Sequence, residues 1–396
     1  MISVKEAKAR LMRNTKALPR KRMPVYEALG HVLAQDVKSP ADNPFFNQSA
    51  VDGYALFTDA EVSGAEMEFT ITDELKAGDK PILFMKPNTA VRVFTGSAVP
   101  LNALGVVMQE KVQRVNNKLC VGQALLTPGA NIRYRGTQIK RGDMALEKKS
   151  IINPGAIGFL LSLGITEVIV YPKPNVSVLA TGNELVKAGK KLLPGQIYES
   201  NTGMLQAALQ HTGFAALAAK TATDTKARIT NSIKSMLATS DVVIISGGIS
   251  VGKYDLVKEV LEAQGVKEIF YKVAQKPGKP LYAGKKGRCM VFAVPGNPAA
   301  ALVCYYEYIL PVLRGMSGMD DVELKKEWLP LAAAFSHKGD RDVFLKAQVH
   351  DGLVHIHDGQ ESNILRSFAT ANALVYLPSG MHKLKAGDRV EIHWLS

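Results

Sequence analysis

Three carboxylates stand in similar places in the sequence, each a few residues beyond a segment that is typical of a β-strand. They are Glu184 after Val176–Ala180, Asp224 after Ala215–Ala219, and Asp255 after Asp241–Ile245. Because ligands of open α/β sheets bind beyond the carboxyl ends of the strands, these side chains could meet in one site. Carboxylates are hard oxygen ligands of the kind that Mg²⁺ takes while it keeps several waters. Singly, Glu184 could lie at the surface and Asp224 could cap a helix, but the three together favour a metal site.

A glycine turn follows the third of these strands. The apolar run Val242–Ile245 leads into Ser246, Gly247 and Gly248, where two positions without Cβ let the backbone approach a ligand closely. A strand, a glycine turn and a helix start together form an anion-binding nest. A plain reversal of the chain would use the same residues.

Two proline-rich turns extend this pattern. Lys276 and Lys279, in the motif KPGKP, hold two ammonium groups around a stiff turn that suits a phosphate or an oxyanion, although a solvated loop is the alternative. In the motif Pro295–Gly296–Asn297–Pro298, Asn297 is a natural N-cap and Pro298 a natural first-turn residue. The amides of that helix start would face an anion, and a purely structural strand-to-helix turn explains the same residues.

The N-terminal half holds a different candidate, Asp52 in the segment Asn47–Tyr54. Asp52 could be a general base, a metal ligand or a turn former, and its spacing alone favours the turn. Two further polar turns, Arg92–Gly96 and Asn131–Gly136, carry arginines that could meet phosphate or project into water.

The elements that must position these residues fall into four predicted domains. Residues 1–42 with 143–171 form a mixed, largely helical N-terminal domain, in which residues 3 to about 33 are predicted to be helical. Residues 43–142 alternate short β-like segments with glycine and proline turns, as an inserted β-rich module. Residues 172–318 alternate strands and helices, which predicts a doubly wound domain of parallel strands. Residues 327–396 return to a β pattern typical of a small barrel. The fold class is therefore multidomain α/β.

Composition narrows the classes of partner. The 396 residues carry 49 basic and 36 acidic side chains, a net charge of +13 that favours an anionic partner. Nucleic-acid binding would rest on that charge alone, because the basic clusters Arg20–Arg22 and Lys285–Arg288 are not interleaved with aromatics and are expected to be solvated surface. No signal peptide or spanning helix is predicted. Three widely spaced cysteines form no metal pattern, and we expect a reducing cytoplasm.

Seven motifs, taken together, resemble the molybdopterin molybdenumtransferase family, the molybdenum insertases related to the catalytic domain of gephyrin. In chain order they are SAVDGYA (Ser49–Ala55), RVFTGSAVP (Arg92–Pro100), NIRYRG (Asn131–Gly136), LATGNEL (Leu179–Leu185), SGGISVGKYD, KPGKP and VPGNP. The resemblance covers essentially the whole chain, domain order included.

The resemblance implies an activity and partners. Enzymes of this family take adenylylated molybdopterin, cleave the adenylate with Mg²⁺ and insert molybdate to give molybdenum cofactor. It implies a homodimer whose active cleft lies between the doubly wound, molybdopterin-binding domain of one subunit and the inserted module of the other. The adenylyltransferase that supplies the substrate is a further expected partner, and no membrane or nucleic acid is expected.

The resemblance also implies roles for matched residues. Glu184, Asp224 and Asp255 would serve the metal and nucleotide site, and Asp52 with Thr95 would be a functional pair from the inserted module. The remaining matched residues would contact the pterin, phosphate or oxyanion; they are Ser246, Gly247, Gly248, Lys276, Lys279, Pro295, Pro298, Lys346 and Ser362.

Three departures from the family pattern affect that assignment. A carboxylate expected after the paired arginines is replaced by Gln138, and an arginine expected at the molybdate site is replaced by Lys346, which keeps the charge but loses the bidentate fork. Glu361 places a negative charge beside Ser362. These departures leave a second interpretation open, in which the protein is a non-catalytic or weakly catalytic scaffold on the same fold. The oxyanion could be molybdate or tungstate.

Overall fold

The computed structural model describes residues 1–61, 65–249 and 256–395 and divides the chain into two compact units. The larger unit contains residues 1–22, 30–34 and 169–396, and the smaller unit contains residues 23–29 and 35–168. The larger unit holds the strand ends that the sequence singles out, so its central sheet is described first.

The central sheet has six strands, in the order Ala216–Ala222, Val176–Thr181, Val242–Ser246, Cys289–Val294, Tyr282–Lys286, Lys267–Tyr271. The first four strands are parallel, which confirms the predicted alternation. Tyr282–Lys286 runs antiparallel to both of its neighbours, so the sheet also contains two strands that the sequence did not predict. Sequence reasoning missed these two strands because they carry lysines where a buried parallel strand would be apolar.

Helices cover both faces of the central sheet because successive strand residues point to opposite sides. On one face Val178, Ile244 and Phe292 pack in a core with helices Val4–Asn14, Asn201–His211 and Pro298–Cys304. On the other face Leu179, Ile245 and Val291 pack with helices Lys226–Thr239 and Leu256–Ala263. The helix Pro298–Cys304 continues through a π-helical turn, Tyr305–Ile309, into Leu310–Met316.

The prediction that residues 3 to about 33 are helical is only half right. A helix spans Val4–Asn14, where the Ser3 hydroxyl accepts a hydrogen bond from the Glu6 amide at 3.1 Å. The rest forms strand Lys21–Pro24, a 3₁₀ turn Val25–Glu27 and strand Val32–Leu33. The two strands flank Glu167–Tyr171 in a three-stranded sheet. Pro19 and Pro24 interrupt the helical hydrogen bonds, and Gly30 has φ +71°, so the apolar spacing could not continue as a helix.

The C-terminal part of the larger unit is a small barrel, as predicted. A sheet runs in the order Gln275–Lys276, Asp342–His350, Ala373–Leu377, Arg389–Trp394, Lys326–Pro330, and Leu353–Ile356 also pairs with Asp342–His350. A bridge between Leu331 and Val354 connects the Lys326–Pro330 end of this path with Leu353–Ile356, which closes the sheet into a barrel. A separate two-stranded sheet pairs Phe335–Gly339 with Gly380–Leu384.

The smaller unit is built around a second six-stranded sheet, in the order Gly105–Met108, Gly53–Phe57, Thr89–Val93, Glu66–Leu75, Lys118–Gly122, Gln113–Val115. Its core includes Tyr54, Phe69 and Leu119, all buried. Two short pairs join Gln48–Ser49 with Ile132–Arg133 and Val37–Lys38 with Met144–Leu146, and the helix Pro154–Ser162 is capped by Asn153. The domain boundaries drawn from the sequence stay predictions.

Two further features concern the predictions made for spanning helices and for the cysteines. The helices in the described parts of the chain include none long and apolar enough to cross a membrane. Cys120, Cys289 and Cys304 are all free thiols, and the last two are buried.

Candidate active site

The first site element follows the strand Val176–Thr181. Gly182 leaves room there for the Glu184 side chain, because a Cβ at this position would lie 2.7 Å from Oε1 of Glu184. The Glu184 carboxylate therefore lies close to the backbone at the strand end, and the residue is exposed.

The glycine turn after Val242–Ser246 packs against the first strand end. Gly247 has φ +89° and Gly248 has φ +63°, a region that favours glycine. A Cβ on Gly247 would lie 2.4 Å from the Thr181 carbonyl oxygen, and one on Gly248 would lie 2.7 Å from Thr181 Oγ1. Both glycines are thus needed for the turn to lie against Thr181, which the sequence alone did not reveal.

Asn201, at the start of the helix Asn201–His211, joins two of the predicted motifs. Its Nδ2 donates to Ser246 Oγ at 2.8 Å and to the Gly296 carbonyl at 2.7 Å. Sequence reasoning missed this residue, although a polar run Glu199–Ser200–Asn201 before a helix was the available signal. The Glu199 carboxylate accepts from the Thr202 amide at 2.9 Å, so it holds this helix start in place.

These elements surround one cavity of about 680 Å³. It collects most of the residues singled out from the sequence: Glu184, Asp224, Ser246, Gly247, Gly248, Lys279, Pro295 and Pro298. Lys276 is not among the described lining residues and is exposed in the strand Gln275–Lys276. The pKa of His337 is lowered mainly by burial and also by the charge of Lys276. The two lysines of KPGKP therefore have different surroundings. Asp255 lies outside the described residues.

Unpartnered oxygens inside the cavity indicate where a cation would fit. Asp224 Oδ1, Thr181 Oγ1 and Asn201 Oδ1 are buried without a hydrogen-bond partner among the described residues. Burial raises the pKa of Asp224, the nearby Thr181 hydroxyl offsets part of that rise, and the neighbouring Glu184 carboxylate adds to it. A divalent cation would relieve both of the effects that raise it, because it supplies positive charge and takes oxygen ligands.

Asp224 does not act as a helix cap. The N-cap of the helix Lys226–Thr239 is Thr225, and the Asp224 amide donates to Asn183 Oδ1 at 3.0 Å. Across residues 1–61, 65–249 and 256–395, no group of three His, Cys, Asp or Glu side chains is arranged to hold a metal. Three carboxylates, Glu184, Glu199 and Asp224, line the described part of the cavity, and both oxygens of Glu199 already accept from Thr202. Glu184 and Asp224 are therefore the acidic donors left for a cation.

The VPGNP turn differs in one respect from its prediction. Asn297 occupies the N-cap position and Pro298 the first turn, but the Asn297 side chain makes no capping hydrogen bond. Its Nδ2 donates instead to Ser362 Oγ at 2.7 Å. Ser362, from the C-terminal barrel, is thereby held beside the cavity.

Lys346 has a different environment from the one expected of an oxyanion ligand. Its side chain is 1% exposed, and its Nζ donates to the carbonyls of Gly359, Glu361 and Ile364 at 2.7, 3.2 and 2.9 Å. An ammonium group has three protons to donate, so these carbonyls use all of them. The geometry does not support direct oxyanion capture by Lys346; it supports fixing the loop that carries Ser362.

Asp52 and Thr95 are paired within the smaller unit. The Thr95 amide and hydroxyl each donate to Asp52 Oδ1 at 2.8 Å. These two hydrogen bonds, helped by the charge of Arg92, hold the pKa of Asp52 below its usual range. Gln138 is exposed on the same unit, and its backbone amide donates to the Asn43 carbonyl at 2.9 Å.

Comparisons with known proteins define the class first. Residues 2–164 match the family model of the MoeA N-terminal region (domain I and II), and residues 329–395 match the MoeA C-terminal region (domain IV). Residues 177–315, which carry the cavity, match a probable molybdopterin binding domain. The matched regions are together those of a multidomain MoeA protein.

Relatives and solved structures agree over nearly the full length. Molybdopterin molybdenumtransferase 2 of Mycobacterium tuberculosis is 33% identical over 383 residues, which covers 93% of this chain and 94% of the relative. Molybdopterin molybdenumtransferase of Nostoc is 33% identical over 92% of this chain and 86% of its own length. A crystal structure of the molybdopterin biosynthesis MoeA protein from Pyrococcus horikoshii is similar with TM-score 0.82 and 28% identity, over 100% of this chain and 99% of that one. The chain belongs to the molybdopterin molybdenumtransferase family, which confirms the resemblance drawn from its motifs.

Proposed function

We propose that this molybdopterin molybdenumtransferase inserts molybdate into adenylylated molybdopterin, with Mg²⁺, and releases AMP. The family relationship supports molybdenum cofactor biosynthesis as the coarser function. The finer reaction rests on one observation: a single cavity at the strand ends brings acidic, glycine-turn, lysine and PGNP residues together.

Glu184 and Asp224 would hold the Mg²⁺, with Asp255 as the third carboxylate that the motif implies. When bound, Mg²⁺ supplies positive charge that polarises the phosphoanhydride. Asp224 must be ionised to bind it, so the raised pKa of this carboxyl makes metal binding weaken on acidification earlier than an exposed aspartate would allow.

Other lining residues would bind the anionic parts of the substrate. Lys279 would offset charge on the phosphate that leaves with adenosine, because an ammonium group that lines the cavity stabilises developing negative charge. The backbone of Gly247 and Gly248 can approach a phosphate closely, and Asn201 holds this turn against the Gly296 carbonyl. Pro295 and Pro298 would shape the side of the cavity that accepts the pterin.

The experiment combines purified protein, adenylylated molybdopterin, Mg²⁺ and either molybdate or tungstate, and measures AMP release and cofactor formation. Asp224→Asn should lower AMP release by about a hundredfold or more, since electrostatic stabilisation of this kind is commonly worth that much. Glu262→Gln, an exposed carboxylate on helix Leu256–Ala263, is the control that should behave as wild type.

Three outcomes separate the alternatives. AMP release that persists in Asp224→Asn, and in Asp255→Ala, would refute the metal role of these carboxylates. A folded wild-type protein that releases no AMP would favour the scaffold function. Faster cofactor formation with tungstate would reassign the oxyanion.

We also propose a homodimer in the cytoplasm that receives its substrate from the adenylyltransferase, as the family resemblance implies. If the Asp52–Thr95 pair of one subunit serves the cavity of the other, mixed Asp52→Ala and Asp224→Asn subunits should regain part of the lost AMP release. A monomer by light scattering, or a mixture without activity, would contradict this arrangement.

A further inference from the structure

A second large cavity lies at the opposite end of the central strands from the active site. It measures about 700 Å³ and adjoins a smaller pocket of about 190 Å³, with Asn14 and Lys285 lining both. The strand Cys289–Val294 begins beside Arg288, at the small pocket, and ends at the PGNP turn. Six strand residues span about 20 Å, so the two sites are separate. We call the joined cavities the basic groove.

Six cationic side chains line the basic groove: Arg10, Arg13, Lys16, Lys267, Lys285 and Arg288. The two carboxylates in it are already paired. Glu6 binds Arg10 at 2.7 Å and Arg13 at 3.4 Å, and Glu268 binds Lys258, which is outside the groove, at 2.9 Å. Positive charge therefore remains in excess.

Three of these cations are free to meet a ligand. Lys16, Lys267 and Arg288 are exposed, and none of their side chains has a hydrogen bond or ion pair within the residues that the structure describes. Lys285 Nζ donates to the Asn14 carbonyl at 2.6 Å, at the C-terminal end of helix Val4–Asn14, which fixes the junction between the two cavities. The Lys285–Asn14 hydrogen bond thus fixes the connection between the two cavities, and the three cationic side chains around it remain available to a ligand.

The smaller pocket has an apolar floor. Leu18, Met290 and Met316 are buried there, while Lys16 and Arg288 line the same pocket and are exposed. Methionine side chains adapt to the shape of a ligand, so the pocket suits one bulky apolar group flanked by negative charges. A free phosphate would leave this floor uncovered.

We propose that the basic groove binds an acidic segment of a partner protein, with one bulky apolar side chain in the small pocket and carboxylates along the cations. A single-stranded nucleic acid is disfavoured because its binding sites normally offer aromatic faces for the bases, and the described residues that line the groove include none. This inference does not rest on the proposed reaction.

The test measures fluorescence anisotropy of a labelled twelve-residue peptide of Asp and Glu with one central Phe. A reversal variant carries Lys16→Glu, Lys267→Glu and Arg288→Glu. A control variant with the same charge change carries Lys220→Glu, Lys234→Glu and Lys338→Glu, all at exposed positions elsewhere. Thermal unfolding and AMP release of both variants should equal those of the wild type, because neither set touches the active-site cavity.

The reversal variant should bind the peptide at least about tenfold more weakly than the control, since three exposed charge contacts of ordinary strength together reach that factor. Replacing the central Phe with Gly should weaken binding about tenfold through lost apolar burial. Equal binding by the reversal and control variants, or no effect of Phe, would overturn the proposal. Displacement of the peptide by inorganic phosphate, or tighter binding of a twelve-nucleotide single-stranded DNA, would do so too.

Discussion

A buried ion network in the larger unit allows a quantitative test of how it is stabilised. Glu307, in the π-helical turn, is 1% exposed and accepts from Lys8 Nζ at 2.6 Å and from His393 Nδ1 at 2.7 Å. His393 Nε2 lies 3.0 Å from Glu391 Oε1. The network joins the N-terminal helix to the last strand of the barrel, so its loss should be felt across the unit.

The pKa of Glu307 sets the magnitude. Burial would raise this pKa, but Lys8 and His393 overcome the effect and lower it from 4.5 to about 2. The difference of about 2.5 pKa units, at 1.36 kcal/mol each, corresponds to about 3 kcal/mol of stability. Because the folded-state pKa is depressed, this contribution is fully present above about pH 4.5 and is lost as the pH falls toward about 2.

Glu307→Gln should therefore lower the free energy of unfolding at pH 7 by about 3 kcal/mol, in the range found when a buried ion pair loses one partner. For a unit of this size the melting temperature should fall by about 6 °C. Glu259→Gln, which removes an exposed ion pair with Lys226, should change the free energy by less than about 1 kcal/mol.

Calorimetry and urea unfolding between pH 2 and 7 provide the measurement. In Glu307→Gln the acid-dependent loss between about pH 4.5 and 2 should be smaller than in wild type by the same 3 kcal/mol, since the titrating group is gone. The reasoning is refuted if Glu307→Gln and Glu259→Gln unfold with equal free energies, or if the acid limb of the curve is unchanged.

Other predictions concern the active-site cavity. Asn201→Ala removes hydrogen bonds to Ser246 and Gly296, so stability should fall by about 2 kcal/mol and AMP release by about tenfold; an unchanged kcat in a folded variant would contradict the positioning role. Lys346→Met leaves three carbonyls without their donor and should destabilise the protein by about 3 kcal/mol in urea unfolding, whereas direct oxyanion capture would instead raise the apparent KM for molybdate alone. Mg²⁺ binding, measured by calorimetry across pH 4 to 7, should decline with acidification through the raised pKa of Asp224, and Asp224→Asn should abolish that pH dependence.

Much of the local structure could be read from the sequence because it is encoded in short windows. The segments Val176–Ala180 and Val242–Ile245, which the sequence indicates as strands, each differ by one residue from the strands Val176–Thr181 and Val242–Ser246. A run of β-branched and apolar residues ended by glycine or proline defines a buried strand without reference to the rest of the chain. The same logic placed acidic residues and glycines at the strand ends.

Tertiary packing determines which of those residues share a cavity. Lys276 and Lys279 are three positions apart, yet only Lys279 of the two lines the cavity. Lys276 instead belongs to a strand that pairs with Asp342–Val343 of the barrel. Asn201 was not singled out at all, since its two acceptors come from segments 45 and 95 residues away. No local pattern records such a contact.

The sequence by itself determined the family and the carboxylates and glycines at the strand ends, because each depends on residue types at short spacing. Only the tertiary structure decided that the Lys346 ammonium group donates to loop carbonyls. It also decided that Lys8 pairs with Glu307, which lies 299 positions away in the sequence. The physical reason is that the environment of a charged group depends on what is packed around it. Burial and long-range partners set whether that charge binds a ligand or stabilises the fold.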